Sequence, residues 1–328
     1  MKRITAVLAA LMQFFFLSAA RAEAAPEDTV WTTELQVRFA TEEEGRQLMR
    51  DRVLFHDQIN EGMLAFLLQR KGGTLEEYIE FSEEQVMPFS PAEEKRITDT
   101  VAWLKDVLER HGLKLPDPGT LTFVKSTSAE ACWAAAYTTG GIIFVADYVF
   151  SPLVYTDDDF REMVVHEVSH CLSRMYPEYR QALFSQIHFT VLDHEIDVPE
   201  EILNRIIANP DVEHHDSSAV FTIGGEKKEC YLVFLADSVF EEPGDSFFDT
   251  MYSGIVPMDG SVVYREDEVD DFWEVVGRNS DYVEDPEELM AANAAFAILH
   301  LDDGYSAYQS PEILEGVIDY LRTAHTGE

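Results

Sequence analysis

The chain has 328 residues, 46% of them apolar, and carries 62 Asp plus Glu against 24 Lys plus Arg, a formal net charge of −38. That apolar share suffices for a substantial core in one large domain or two modest ones. So acidic a chain repels phosphate backbones, which argues against nucleic-acid binding, and past the N-terminus no stretch is long and apolar enough to span a bilayer.

Residues 1–22 read as an export signal. Lys2 and Arg3 form a positive start, Ile4 to Ala20 an apolar stretch, and Ala20-Arg21-Ala22 a small-x-small cleavage site. The apolar stretch is long and also fits an uncleaved anchor. The absence of a nearby cysteine argues against a lipid anchor. The expectation is an exported protein, periplasmic or secreted, with no membrane span after cleavage. In that compartment Cys132, Cys171 and Cys230 allow one disulfide plus a spare thiol, or three free thiols.

Residues 23–115 read as a helical N-terminal region. Thr41 with Glu44 makes a capping box before an apolar pattern running from Leu48 to Leu67, which predicts one long helix ending at Gly72-Gly73. A shorter helix is expected from Thr74 to before Pro88. Ser90-Pro91 then supplies a cap and an N-terminal proline for a helix carrying Ile97, Val101, Leu104 and Leu108.

From residue 116 the pattern changes. "LTFVKST" and "GGIIFVADYVF" read as strands, the second beginning at Gly140-Gly141. A helix follows from about Asp157 to Arg174, its three leading aspartates placed where the helix dipole favours them. Neither that run nor Asp302-Asp303-Gly304 has the spacing of an EF-hand calcium loop. Downstream come a short helix within 198–211, a hairpin turning at Gly224-Gly225, a helical segment near Phe272, and helices from Pro286 to about Leu299 and from Pro311 to Arg322. Helices, then a small sheet, then further helices predict an α+β fold.

The chemistry begins at "REMVVHEVSHCL", Arg161 to Leu172. Residues four apart on an α-helix are about 40° apart in rotation, so His166 and His170 share a face and can meet one ion. Glu167, about 100° round from His166, falls beside that ion, within reach of an activated water. This is the H-E-x-x-H arrangement of zinc hydrolases. The other His-Glu pair, His194-Glu195, has Val198 where a second histidine would stand. Two imidazoles and a carboxylate on a helix this apolar are costly unless a partner or a ligand compensates them.

A third ligand must come from elsewhere. Ser173 and Tyr176 occupy the glycine and histidine positions of a metzincin, which excludes that class. The remaining common set takes a glutamate from a later helix. The candidate segment is "NSDYVEDPEELMAANAAFAIL", Asn279 to Leu299.

HEVSH followed by Y-V-E-D-P-E-E-L-M-A-A-N resembles an uncharacterised group of bacterial exported zinc peptidases of the gluzincin type. "LPDPGTLTFVKS", "AAYTTGGIIF", "YPEYRQALFSQIHF" and "NPDVEHHDS" agree in order, so the likeness covers most of residues 115–300. The resemblance implies a zincin-like catalytic domain over 116–328 and a Zn2+ cofactor on His166, His170 and Glu288, with Glu284 the alternative ligand. It further implies Glu167 as general base and Tyr282 as a donor to the developing oxyanion. Ala292 stands where such enzymes often carry an acid supporting a ligand histidine, so that support has to come from another residue. His214 and His215 are candidates to line the cleft, and the strand Gly141 to Val145 is a candidate edge for pairing an extended substrate. The expected substrate is a peptide or protein. The rival readings are an exported zinc-binding protein without catalysis and a zinc hydrolase of a non-peptide amide or ester.

Overall fold

A computed structural model describes residues 29–237 and 251–326, so the expected export signal lies outside the described residues. The fold is α+β. β1 (Trp31–Thr32) and β2 (Gln36–Phe39) precede α1 (Glu42–Arg50), α2 (Val53–Gln58), α3 (Glu61–Leu67) and α4 (Leu75–Glu84). β3 (Val86–Met87) and α5 (Pro91–His111) lead to β4 (Leu115–Pro116), β5 (Thr120–Ser126), β6 (Ala136–Thr139) and β7 (Ile142–Ala146). Then come α6 (Asp157–Met175), α7 (Pro177–Gln186), β8 (Thr190–Val191), α8 (Glu200–Leu203), β9 (Ser217–Ile223), β10 (Glu226–Ala236) and β11 (Met251–Pro257). α9 (Phe272–Val276), α10 (Pro286–Leu299) and α11 (Pro311–Thr323) complete it.

The capping box expected at Thr41/Glu44 forms, and the helix starts expected at Thr74 and Ser90 prove to be capping boxes as well, with Glu77 and Glu93. The expected long helix after Thr41 instead breaks into α1, α2 and α3. At the first break Arg52 turns inward, its guanidinium 5.3–5.5 Å from the rings of Phe55, Tyr137 and Phe144. At the second, the Asn60 side chain accepts from Met63 N–H to start α3 and donates to the carbonyls of Leu203 and Ile206. A continuous helix would forfeit both anchors.

His56, on α2, is buried, and its Nε2 has no hydrogen-bond partner among the described residues. Burial, with Arg52 and Arg50 adding to it, holds its pKa down to about 4. The unfolded chain therefore binds more protons between pH 6.5 and 4, so stability falls as pH drops through that window. Urea unfolding at pH 7 and pH 5 is expected to differ by on the order of 2 kcal/mol from this residue, and His56→Gln should remove that share of the slope.

The sheet beneath the site runs β2-β5-β7-β6, with β3 paired to β5. β2 and β7 lie parallel to β5, while β6 is antiparallel to β7. β7 is thus covered on both sides, which corrects the expectation that residues 141–145 form an open edge. The edge on that side is β6, joined to β7 across a hairpin at Gly140-Gly141, where Gly140 has φ 53°. A second sheet runs β11-β10-β9-β8, with the expected hairpin turn at Gly224-Gly225 between β9 and β10. Strands β1 and β2, before residue 115, pair with β4 and β5. One apolar core runs from Ile97 on α5 through α6 to Leu321 on α11.

α10 is the most enclosed helix, with 12 of its 14 residues buried. Ala291, Ala294, Ala295 and Ala297 leave room for close approach, and the helix packs against α6, α7 and α11. Among the described residues no helix is long and apolar enough to cross a membrane. All three cysteines are free thiols.

Candidate metal centre

α6 starts from a capping box, Thr156 with Asp159, and Asp158 and Asp157 pair with Arg161 and Arg96. The aspartate run is therefore a solvated helix start. Two turns further on, His166 and His170 emerge on one face. Opposite them stands the first turn of α10. Asp285 caps it by accepting from Glu287 N–H, and Pro286 takes the first helical position. Glu287 and Glu288 follow at the dipole's positive end, which favours carboxylates.

His166 Nε2 and His170 Nε2 are 2.9 Å apart, and Glu288 Oε2 is 3.1 Å from the first and 3.5 Å from the second. Ligands bonded at about 2.0–2.1 Å to a tetrahedral ion stand about 3.3 Å from one another. The three donors already have that spacing, so this group can hold a metal ion. Glu288 Oε1 accepts from Asn209 Nδ2 at 2.6 Å, which orients Oε2 toward the imidazoles. Burial opposes the Glu288 charge, but His170 and His166 outweigh it and hold its pKa well below the usual range. Glu284 lies outside the donor group and takes the same Asn209 amide at 3.1 Å.

The support for His170 comes from Glu287. Its Oε1 is 3.3 Å from His170 Nδ1 and also accepts from Ser173 Oγ, while its Oε2 accepts from Arg180 Nε at 3.1 Å. Arg180 is itself fixed by two bonds to Asp216, at 2.7 and 2.8 Å. Burial raises the Glu287 pKa, but the His170 hydrogen bond and Arg180 overcome it and bring the pKa down to about 2. With Nδ1 donating to that carboxylate, His170 Nε2 is left as a lone pair for a metal. Glu287→Ala is expected to lower divalent-ion affinity roughly 10- to 100-fold, read by competition with a chromophoric chelator.

Glu167 is 4% exposed, and its Oε2 has no hydrogen-bond partner among the described residues. Burial first, then the nearby Asp211 carboxylate, pushes its pKa well above the ordinary value. Asp211 accepts from Thr138 N–H on the outer side of β6, and Arg174 holds it from α6. Arg174 and Arg180 are committed to Asp211, Glu213, Asp216 and Glu287. Among the described residues Glu167, Glu284 and Glu288 form no ion pair with a Lys or Arg side chain, an excess of negative charge that suits a bound cation.

The group opens into a cavity of about 430 Å³ lined by Ala134–Tyr137, Val154, Tyr155, Asp159, Glu162, Met163, His166, Glu167, Asn209–Asp211, Tyr282 and Glu288. Tyr282 is 45% exposed there. Of the "NPDVEHHDS" segment, Asn209, Pro210 and Asp211 reach the cavity, whereas the His214 ring meets Glu195 and His215 bonds that carboxylate through its backbone N–H, its Nδ1 buried without a partner among the described residues. Sequence reasoning missed Glu287, Asn209 and Asp211. The paired Glu287-Glu288 was the available signal, because successive residues at a helix start point about 100° apart and can address two neighbouring imidazoles.

No protein-family model matches the chain, and comparisons with curated proteins and with solved structures find no match.

Proposed function

We propose that the protein is an exported zinc-dependent peptidase with a zincin-like catalytic domain. The supporting observation is the convergence of His166 Nε2, His170 Nε2 and Glu288 Oε2 at tetrahedral spacing, with Glu167 beside them at the end of an open cleft. Two imidazoles and one carboxylate are the donor set of thermolysin-like catalytic zinc sites, which keep a position open.

A zinc ion held there supplies Lewis acidity, polarising the scissile carbonyl and acidifying the attacking water. The chain's own residues do the rest. β6 is an edge strand along the cleft; Asp211 takes its outer side at Thr138, and Ala136 is the position that can pair with an extended peptide backbone. Glu167 takes the proton of the attacking water and returns one to the leaving amine, and its enclosed carboxylate is a stronger base than an exposed one. Tyr282 supplies a hydroxyl toward the carbonyl oxygen as negative charge builds there. Asn209 and Glu287 hold Glu288 and His170 in place.

Purified protein is expected to carry about one zinc per chain. Chelation should abolish cleavage of a peptide mixture, and added zinc should restore it. A preparation that holds no zinc, or that cleaves equally well after chelation, would overturn the proposal.

A further inference from the structure

Asp159 and Glu162 also line the cavity, and the reaction chemistry described above uses neither. Glu162 precedes His166 by one helical turn, about 6 Å along the α6 axis, and Asp159 lies most of a turn further. Among the described residues the nearby arginines are committed elsewhere, Arg96 to Asp157 and Arg161 to Asp158, and the cationic groups that bear on Glu162 are the imidazoles of His166 and His300. Asp159 spends one oxygen on the Thr156 cap, and Glu162 has no hydrogen bond or ion pair among the described residues. The wall beside these acids is largely apolar, built by Ala134–Ala136, Val154, Tyr155 and Met163. Glu167, enclosed and with Oε2 unpartnered, faces the same cavity, so the space is built to receive a ligand along its length.

An apolar wall bearing a carboxylate with no hydrogen-bond partner is complementary to a methylene stem ending in a cation. Resting on the peptidase reading, we propose that Glu162, assisted by Asp159, selects a lysine or arginine side chain on a residue flanking the scissile bond. The charge of −38 works in the same direction, raising the encounter rate of cationic peptides at low salt.

The test uses N-acetylated peptides of one sequence, carrying Lys, Arg, Leu or Glu on either side of a single cleavable bond. Zinc-loaded wild type is expected to prefer Lys or Arg over Leu at one of these positions by roughly 10- to 100-fold in kcat/KM, the size of a hydrogen bond to a charged group. Glu162→Gln should reduce that ratio to near unity, and Glu162→Lys should turn it toward Glu. The ratio is the readout because poor folding or zinc loss lowers both rates alike. Equilibrium binding of the same peptides to zinc-loaded Glu167→Gln should show the same ranking without turnover. A wild type indifferent to Lys against Leu, a ratio unmoved by Glu162→Gln, or a preference that appears only when the acetyl group is removed would each overturn the proposal. Failure to cleave any peptide, with ranked binding intact, would instead count against the hydrolytic chemistry and leave the selectivity standing.

Discussion

Glu167→Gln is expected to keep its metal and lose roughly 100- to 10,000-fold in the rate of peptide cleavage, the range spanned by removing a general acid–base group. The amide keeps the size of the carboxylate and makes no demand on the donors, because Glu167 is outside the group formed by His166, His170 and Glu288. It cannot take a proton from water. The comparison needs two measurements on one preparation, metal content by mass spectrometry and turnover of a peptide mixture. If zinc stays bound and cleavage continues at the wild-type rate, Glu167 is not the base and the proposed mechanism is wrong. The variant is also expected to be at least as stable as wild type, since burying a neutral amide costs less than burying a carboxylate.

Glu288→Ala and Glu284→Ala separate the two candidate ligands. Glu288 Oε2 stands at bonding geometry from both imidazoles, so Glu288→Ala should lower metal affinity by more than the roughly 100-fold typical of losing an outer partner. Glu284→Ala should keep the metal. Its carboxyl is pushed up to about 8 by burial and then by the Glu288 charge, so at neutral pH it is largely protonated and a poor ligand. The pair shares the Asn209 amide, so loss of Glu284 leaves that amide wholly to Glu288. Retention of metal by Glu288→Ala and its loss from Glu284→Ala would reverse the assignment.

The parts of this site that could be read from sequence are those set by one helix. His166, Glu167 and His170 owe their relation to helical rotation alone, so spacing suffices. Glu288 sits 118 residues past His170, and no periodicity connects the two, so its position rests on the resemblance together with the fold. Glu287 is not legible in the same way: the family pattern puts the support of a ligand histidine one turn beyond the ligand, at Ala292, whereas here the adjacent residue supplies it. Asn209 is a polar residue in a turn, and nothing local distinguishes it from a solvated one. Helix starts were legible because Thr41, Thr74, Ser90 and Thr156 cap through bonds to residues three positions on. The breaks at Arg52 and Asn60 were not, because both are fixed by partners far along the chain, including Tyr137 and Leu203. β6 was missed for a related reason: four residues ending in a glycine turn carry little alternation, and a partner strand defines them.

The enclosure of α10 bears on which ions the site can accept. With Glu288 on a helix that has almost no free face and both imidazoles on a packed neighbour, the donors cannot spread apart without shifting core side chains. Calcium wants six to eight oxygens at about 2.3–2.6 Å, so a pocket frozen around three short bonds is too tight and too nitrogen-rich for it. Selection against calcium is thus built into the packing, before any difference in ligand softness comes into play.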